Sequence, residues 1–227
     1  MPKKRRRGQT RRLPVRTAPR EHWGVALEVG GVVQSVTVPD EAASPDDDGE
    51  PRPGPGGGYW GLMLPPGCPR RALLLGLGGG TVAKLLARRC PDVAMVGVER
   101  DVEVIALARS EFGLDGLSHL TIVEADAFAW VAEHAPGAPD APGAFDLICL
   151  DLFEAGRLTL GTLATPFLRQ LALLLAPEGT LTVNLMVTAR TPDQLHRLRR
   201  VFALRRELRL RGNLVAHATP LSIVPDE

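Results

Sequence analysis

The sequence is poor in cysteine, in aromatic residues and in long apolar runs, and each shortage excludes a class of protein. The three cysteines among 227 residues form no C-x-x-C pair, so we expect a reduced protein with neither disulfides nor a cysteine-built metal site. No apolar run approaches the ~18 residues that a membrane-spanning helix needs. The basic N-terminus lacks the hydrophobic segment of a secretory signal. These features predict a cytoplasmic protein with no membrane partner and no metal.

The net charge of +1 conceals an uneven distribution of charge along the chain. Residues 1–20 contain nine of the 27 basic residues and no acid, so the remainder is mildly acidic. We expect residues 1–20 to be a basic, disordered arm. A solvated tail is the simpler interpretation of this arm, and binding to nucleic acid or another polyanion is the alternative.

Composition divides the rest of the chain into three parts. Residues 21–38 hold two apolar runs around Gly30-Gly31, which predicts a short β-hairpin. Residues 39–58 hold five prolines, five glycines and six acids, and we interpret them as an acidic linker without a core. Residues 59–227 alternate between strand-like and helix-like segments, which predicts an α/β domain with a parallel sheet. Two apolar runs around Gly212-Asn213 predict a final hairpin that adds an antiparallel edge.

The glycine-rich segment after the first strand of the α/β domain carries the strongest functional signal. The apolar residues 72–75 lead into Gly76, Gly78 and Gly80, and a helix-like segment begins directly afterwards. Glycines at such a turn let a ligand approach the backbone, and the helix N-terminus offers free N–H groups. A tight turn without a ligand is the alternative interpretation.

Two acids lie where they could hold an adenosine. Glu99 ends the second strand of the domain, and a carboxylate there can accept hydrogen bonds from both ribose hydroxyls. Asp126 follows the third strand, where it can accept an adenine amino hydrogen or cap the next helix. Because the glycines depart from the dinucleotide spacing G-x-G-x-x-G, the three features together favour an adenosyl sulfonium ligand over NAD.

These motifs resemble those of spermidine synthases and the spermidine synthase-like class I methyltransferases, most strongly over residues 71–186. A weaker similarity matches Gln34 to a ligand-contacting glutamine and Tyr59 to a tyrosine of the same region. The resemblance implies a class I fold, which is a seven-stranded, mostly parallel sheet with an antiparallel C-terminal hairpin, preceded here by a short N-terminal β-hairpin. It also implies S-adenosylmethionine, or its decarboxylated form, as co-substrate.

Asp151 and Glu154 follow the fourth strand, at the edge where open α/β sheets bind ligands. The resemblance matches them to the D-x-x-D-P motif of spermidine synthases, Asp151 directly and Glu154 by analogy. It implies that they bind an amine acceptor and help to remove its proton. A strand-end acid that caps the next turn is the alternative interpretation for each.

Two departures from the family pattern favour methyl transfer over aminopropyl transfer. In aminopropyltransferases an acid after the glycines can face the ammonium of the decarboxylated donor, whereas Thr81 stands at that position here. The N-terminal β region is also short. We therefore predict a methyltransferase acting on a small, amine-type acceptor. Aminopropyl transfer is the first alternative and a non-catalytic nucleoside-binding module the second.

Overall fold

The computed structural model describes residues 13–20, 24–38, 50–134 and 145–221. Most of the predicted basic arm and of the predicted acidic linker therefore lies outside the described residues. Within those ranges, no helix is both long enough and apolar enough to cross a bilayer.

The N-terminal segment forms a three-stranded antiparallel sheet, which contains the predicted hairpin and one further strand. Strand β1 (Val15–Arg20) pairs with β2 (Gly24–Val29), and β2 pairs with β3 (Val32–Val36). Strand β1 corrects our expectation that the whole of residues 1–20 is disordered. Backbone pairing orders it, and Arg16 and Arg20 of β1 both bind the buried carboxylate of Glu28 on β2. These two arginines also lower the pKa of Glu28.

The other strands belong to the α/β domain or to a small hairpin within it. They are β4 (Arg71–Leu75), β5 (Ala94–Glu99), β6 (Leu120–Glu124), β7 (Phe145–Leu150), β8 (Phe153–Glu154), β9 (Arg157–Leu158), β10 (Leu175–Met186), β11 (Phe202–Leu210) and β12 (Asn213–Pro220). Seven of them form one sheet in the order β11-β12-β10-β7-β4-β5-β6. Strand β12 runs antiparallel to both of its neighbours, whereas the pairs among β10, β7, β4, β5 and β6 are parallel. The predicted final hairpin is present, but β12 lies inside the sheet and β11 forms its edge.

Helices cover both faces of this sheet. They are α1 (Thr81–Arg89), α2 (Val102–Ser110), α3 (Ala127–Glu133), α4 (Thr165–Leu174) and α5 (Thr191–Arg199), with short 3-10 helices at Pro55–Gly57, Tyr59–Met63 and Leu114–Gly116. Strand β7 explains the layering: Ile148 and Leu150 join the core cluster with α3, α4 and α5, whereas Leu147 and Cys149 join the cluster with α1. A strand covered on both faces is apolar at nearly every position, as the sequence of β7 is.

Cys68 and Cys90 form a disulfide, which corrects our expectation of a protein without one. Cys90 follows the last residue of α1, and the segment before β4 passes alongside it, with the two Cα atoms 5.4 Å apart. The cysteines are 22 positions apart, so no local spacing reveals the pair. Cys149 is a free, buried thiol.

Candidate functional site

A cavity of about 470 Å³ opens at the carboxyl ends of β4, β5 and β7. It brings together seven of the eight residues that we predicted from the sequence. They are Gln34, Gly76, Gly78, Glu99, Asp126, Asp151 and Glu154. The eighth, Gly80, is the N-cap of α1 and packs against Leu114. The N-terminal sheet forms one wall of this cleft through Gln34 and Ser35 of β3.

The glycine-rich loop has a backbone that other residues would not tolerate. Gly76 has φ +88°, and a Cβ atom at this position would lie 2.3 Å from the carbonyl oxygen of Asp151. The loop therefore passes directly over the end of β7 only because Gly76 has no side chain. This close approach places the floor of the cleft against the predicted catalytic acid.

Backbone N–H groups hold the Glu99 carboxylate in place. Its Oε2 accepts a hydrogen bond from the N–H of Gly78 at 3.0 Å. Its Oε1 accepts from the N–H groups of Arg100 and Asp101 at 2.9 and 3.0 Å. A carboxylate has about four acceptor positions, so Oε2 keeps capacity for a further donor. The predicted ribose acceptor and the glycine-rich loop thus form one preorganised unit.

Asp126 caps helix α3 and also lines the cleft. Its Oδ1 accepts from the N–H groups of Phe128 and Ala129, at 2.9 and 3.1 Å. Helix capping was the alternative interpretation that we gave for Asp126, and the structure shows these capping hydrogen bonds. Because both capping bonds end on Oδ1, the predicted contact with an adenine amino group would use Oδ2.

Two neutral donors hold the Asp151 carboxylate from opposite sides. The Tyr59 hydroxyl donates to Oδ2 at 2.7 Å, and the Asn184 amide donates to Oδ1 at 2.9 Å. Burial raises the pKa of Asp151, and these two hydrogen bonds partly offset that rise. Burial and the negative charge of Asp151 hold the pKa of Tyr59 well above its ordinary value, so the hydroxyl keeps its proton and remains a donor.

Glu154 differs from Asp151 in exposure and in partners. It lies on the short β8–β9 hairpin, its side chain is 50% exposed, and it forms an ion pair with Arg100 at 3.2 Å. The turn of this hairpin contains Ala155 and Gly156, both at positive φ. Glu154 therefore joins the hairpin to the segment that follows β5, at the rim of the cleft. Its predicted role in acceptor binding stays a prediction.

Contacts between β3 and the glycine-rich loop were missed by sequence reasoning. The Ser35 hydroxyl accepts from the N–H of Gly79 at 2.8 Å. The Thr81 hydroxyl, at the position where aminopropyltransferases have an acid, binds both the N–H and the carbonyl of Val36, each at 2.8 Å. These contacts join residues 44 or 45 positions apart, so no local sequence pattern predicts them.

In the part of the chain that the structure describes, no group of three or more histidine, cysteine, aspartate or glutamate side chains is arranged to hold a metal ion.

Comparison with known proteins finds sequence similarity to two kinds of transferase. No protein-family model matches it. It is 30% identical over 125 residues to the polyamine aminopropyltransferase of Chromobacterium violaceum, an alignment covering 55% of this chain and 45% of that protein. It is 33% identical over 144 residues to the trans-aconitate 2-methyltransferase of Methylobacterium radiotolerans, covering 62% and 46%. The chain thus spans less than half the length of these relatives.

A solved structure extends the comparison to nearly the whole chain. The spermidine synthase from Thermotoga maritima superposes with a TM-score of 0.65 at 16% identity, covering 96% of this chain and 72% of that one. At such identity the match shows the fold alone. The class I methyltransferase fold and the similarity to the spermidine synthase-like family are therefore confirmed, while the names of the relatives denote two different transfers.

Proposed function

We propose that this chain is an S-adenosylmethionine-dependent transferase that methylates an amine-type acceptor. The observation that carries the proposal is the Asp151 carboxylate, held by Tyr59 and Asn184 at the end of β7. It lines the same cleft as the glycine-rich loop and Glu99. A desolvated acid next to a nucleoside-type site suits an acceptor that must lose a proton during the reaction.

The residues around the glycine-rich loop fit an adenosyl co-substrate. Gly76 and Gly78 line the cleft with bare backbone, Glu99 keeps acceptor capacity for a ribose hydroxyl, and Asp126 lies next to the start of α3. When bound, S-adenosylmethionine supplies a methyl group on a sulfonium. The sulfur leaves as a neutral thioether, so no acid is needed to expel it. These residues have only to bind and orient the donor.

Asp151 would orient the acceptor and take its proton. An ammonium group bound to this carboxylate loses its proton to Asp151, and the freed lone pair forms the bond to carbon as the carbon–sulfur bond breaks. Burial raises the pKa of Asp151, which makes it a stronger base than an exposed aspartate. Its negative charge also complements the positive charge of both reactants.

The surroundings of the loop favour methyl over aminopropyl transfer. The hydroxyls of Ser35 and Thr81 are engaged in joining β3 to the loop, and Glu154 is paired with Arg100 at the rim. Neither hydroxyl carries a charge, and the Glu154 carboxylate is shared with Arg100, so none of these three described side chains is a free carboxylate for the ammonium of a decarboxylated donor or for the second ammonium of a diamine. Aminopropyl transfer remains the second candidate, because the Tyr59–Asp151 pair matches the residues implied by the family resemblance.

A donor and acceptor survey tests the proposal directly. We expect purified protein with S-adenosylmethionine and a panel of amines to give a product heavier by one methylene unit, as read by mass spectrometry. A gain of an aminopropyl group with the decarboxylated donor would establish the second candidate instead. Tight donor binding without transfer to any acceptor would indicate a nucleoside-binding module and contradict the proposal.

The catalytic assignment has its own matched pair of variants. Asp151→Asn removes the base but keeps the size of the side chain, so we expect it to lower kcat by ~100-fold or more while donor affinity stays within about threefold. Asp92→Asn, the same substitution at an exposed position before β5 that does not line the cleft, should lower kcat by less than about threefold. Unchanged turnover in Asp151→Asn would remove Asp151 from the reaction.

A further inference from the structure

A chain of two amide side chains leads from the final hairpin to Asp151. The Asn213 amide donates to Oδ1 of Asn184 at 2.9 Å, and the Asn184 amide donates in turn to Oδ1 of Asp151 at 2.9 Å. Asn184 is 2% exposed, while Asn213 lies half-buried at the start of β12. Residue 184 pairs with Val215 across β10 and β12, so Asn213 is its diagonal neighbour on the same face of the sheet.

The direction of each hydrogen bond in this chain follows from the chemistry of the groups. An ionised carboxylate only accepts, so Asn184 must turn its NH₂ group toward Asp151. Its carbonyl oxygen then points away and needs a donor, because a buried acceptor left without a partner is costly. Asn213 is that donor, and no carboxylate could take its place. The orientation of Asn184 is therefore specified from both sides.

We propose that Asn213 is a positioning residue: it locks the amide of Asn184 in the orientation that donates to Asp151 and so keeps this carboxylate ionised for the acceptor. The inference rests on the proposed function of Asp151, but its structural part can be tested without any turnover. Asn213 has no direct bond to Asp151 among the described contacts and acts through Asn184.

Other titratable groups near Asp151 define the background against which this effect is measured. Tyr59 faces it from the 3-10 helix, and Cys149 precedes it on β7, where burial raises the pKa of the thiol to about 12. Glu99, Asp126 and Glu154 line the same cleft from β5, from the start of α3 and from β8. Each of these three already has a backbone or arginine partner, and none is bonded to Asn184 or Asn213.

Tyr59 is the single tyrosine of the protein, which gives a direct probe of Asp151. Labelling with tyrosine that carries ¹³C at the Cζ position yields one NMR signal, from the ring whose hydroxyl donates to Asp151. The shift of this signal should change when Asp151 is protonated, because a hydrogen bond to an ionised carboxylate is stronger than one to its acid. The midpoint of the pH titration then reports the pKa of Asp151.

Removing either amide should make Asp151 easier to protonate. We expect the midpoint to rise by about half a pH unit in Asn213→Ala and by about one unit in Asn184→Ala, because a stabilising hydrogen bond to the charged form is lost. Asn213→Asp keeps the size of the side chain and should raise the midpoint at least as far as Asn213→Ala, since its carboxylate turns the Asn184 amide around. This variant also serves if Asn213→Ala fails to fold.

A double variant isolates the route through Asn184. In the Asn184→Ala background, Asn213→Ala should shift the midpoint by less than about 0.2 units, because the residue through which it acts is gone. Thr219→Ala, at the other end of β12, should leave the midpoint unchanged. An unshifted midpoint in both Asn213 variants overturns the inference. It is also overturned if Asn213→Ala shifts the midpoint as far in the Asn184→Ala background as it does in the wild type. A wild-type signal that does not titrate between about pH 3 and 9 overturns it too.

Turnover separates this inference from the proposed function. If the enzyme transfers methyl groups, the acid limb of kcat/KM should move to higher pH in Asn213→Ala by the same amount as the NMR midpoint, because the ionised fraction of the base falls. A shifted midpoint in a protein without transfer to any acceptor supports the positioning role and rejects the proposed function. An active enzyme whose NMR midpoint and acid limb do not move has the proposed function without the positioning role.

Discussion

Backbone N–H groups and neutral side chains, rather than cations, position three of the acids that line the cleft. Glu99 accepts from three backbone N–H groups, Asp126 from two, and Asp151 from a hydroxyl and an amide. Because none of these partners carries a full charge, the acids keep their negative potential for a cationic donor and acceptor. Their orientation is also set before any ligand arrives.

Glu99 is the residue on which donor binding should depend most. We expect Glu99→Ala to weaken binding of S-adenosylhomocysteine by ~30-fold or more in calorimetry, since hydrogen bonds to a charged acceptor contribute about 1.5–3 kcal/mol. Glu154→Ala, an acid of the same cleft at its exposed rim, should change the affinity by less than about threefold. Equal affinity of wild type and Glu99→Ala would remove the ribose assignment.

Single site residues were predictable where they mark a strand end or an unusual backbone. Glu99 is the last residue of β5, and Gly76 and Asp151 directly follow β4 and β7. The rule that ligands bind at this edge of a parallel sheet led to all three. The Asn184–Asn213 chain was not predictable, because it depends on the diagonal register of β10 and β12. The partner that Tyr59 binds, 92 positions away, likewise depends on the complete fold.

At the scale of elements, strand β3 is attached to the glycine-rich loop at successive residues. Ser35 binds Gly79, and Val36 binds Thr81 through both of its backbone groups. Their neighbour Gln34 lines the cleft. The N-terminal sheet is thus held against the first turn of α1, and one wall of the cleft depends on this attachment.

Thr81→Val tests the attachment with a side chain of nearly the same shape. The substitution leaves the N–H and carbonyl of Val36 without their partner, so we expect a loss of about 1–3 kcal/mol in the free energy of unfolding. Urea denaturation measures it, with Thr121→Val on the exposed position of β6 as control and an expected change within about 0.5 kcal/mol. Equal stabilities of the two variants would show that the hydroxyl of Thr81 does not hold the sheet.

Element boundaries show where local sequence signals fail. Pro177 favours a helix that continues to about residue 176, whereas α4 ends at Leu174 and β10 begins at Leu175. The ladder with β7 explains the difference: Leu175 pairs with Phe145, and the register shifts before Thr180. Strand β1 was missed because only its pairing with β2 orders it, and a charged segment gives no apolar alternation.

At the scale of the whole molecule, the segment Tyr59–Met63 lies between the two halves of the cleft, which are the end of β7 with Asp151 and the glycine-rich loop with α1. The 3-10 helix Tyr59–Met63 presents Tyr59 to Asp151, and side chains of the sheet bind its last carbonyl groups. His217 of β12 binds the Leu62 oxygen at 2.7 Å, and the Cys149 thiol lies 3.7 Å from the Met63 oxygen. Burial lowers the pKa of His217, and because a carbonyl oxygen only accepts, Nε2 of the neutral ring carries the proton.

The Cys68–Cys90 disulfide ties the chain just beyond this segment to the end of α1, the helix that the glycine-rich loop begins. Closing a loop of 22 positions should stabilise the protein by about 3 kcal/mol in the chain-entropy account. We therefore expect Cys68→Ser to lower the urea midpoint of unfolding, and dithiothreitol to lower that of the wild type to the same value.

The variant provides its own control, because the reductant should leave the midpoint of Cys68→Ser unchanged. Cys68 is exposed, so a reductant reaches the bond without prior unfolding. Alkylation of the native protein without reductant, followed by mass spectrometry, should modify neither Cys68 nor Cys90. Modification of both would show that the bond is absent. The chain after Cys68 leads directly into β4. A stabilising bond here would therefore hold the segment with Tyr59, which contacts the predicted acceptor site at Asp151, and helix α1, which follows the glycine-rich loop of the predicted donor site, in one cooperative unit.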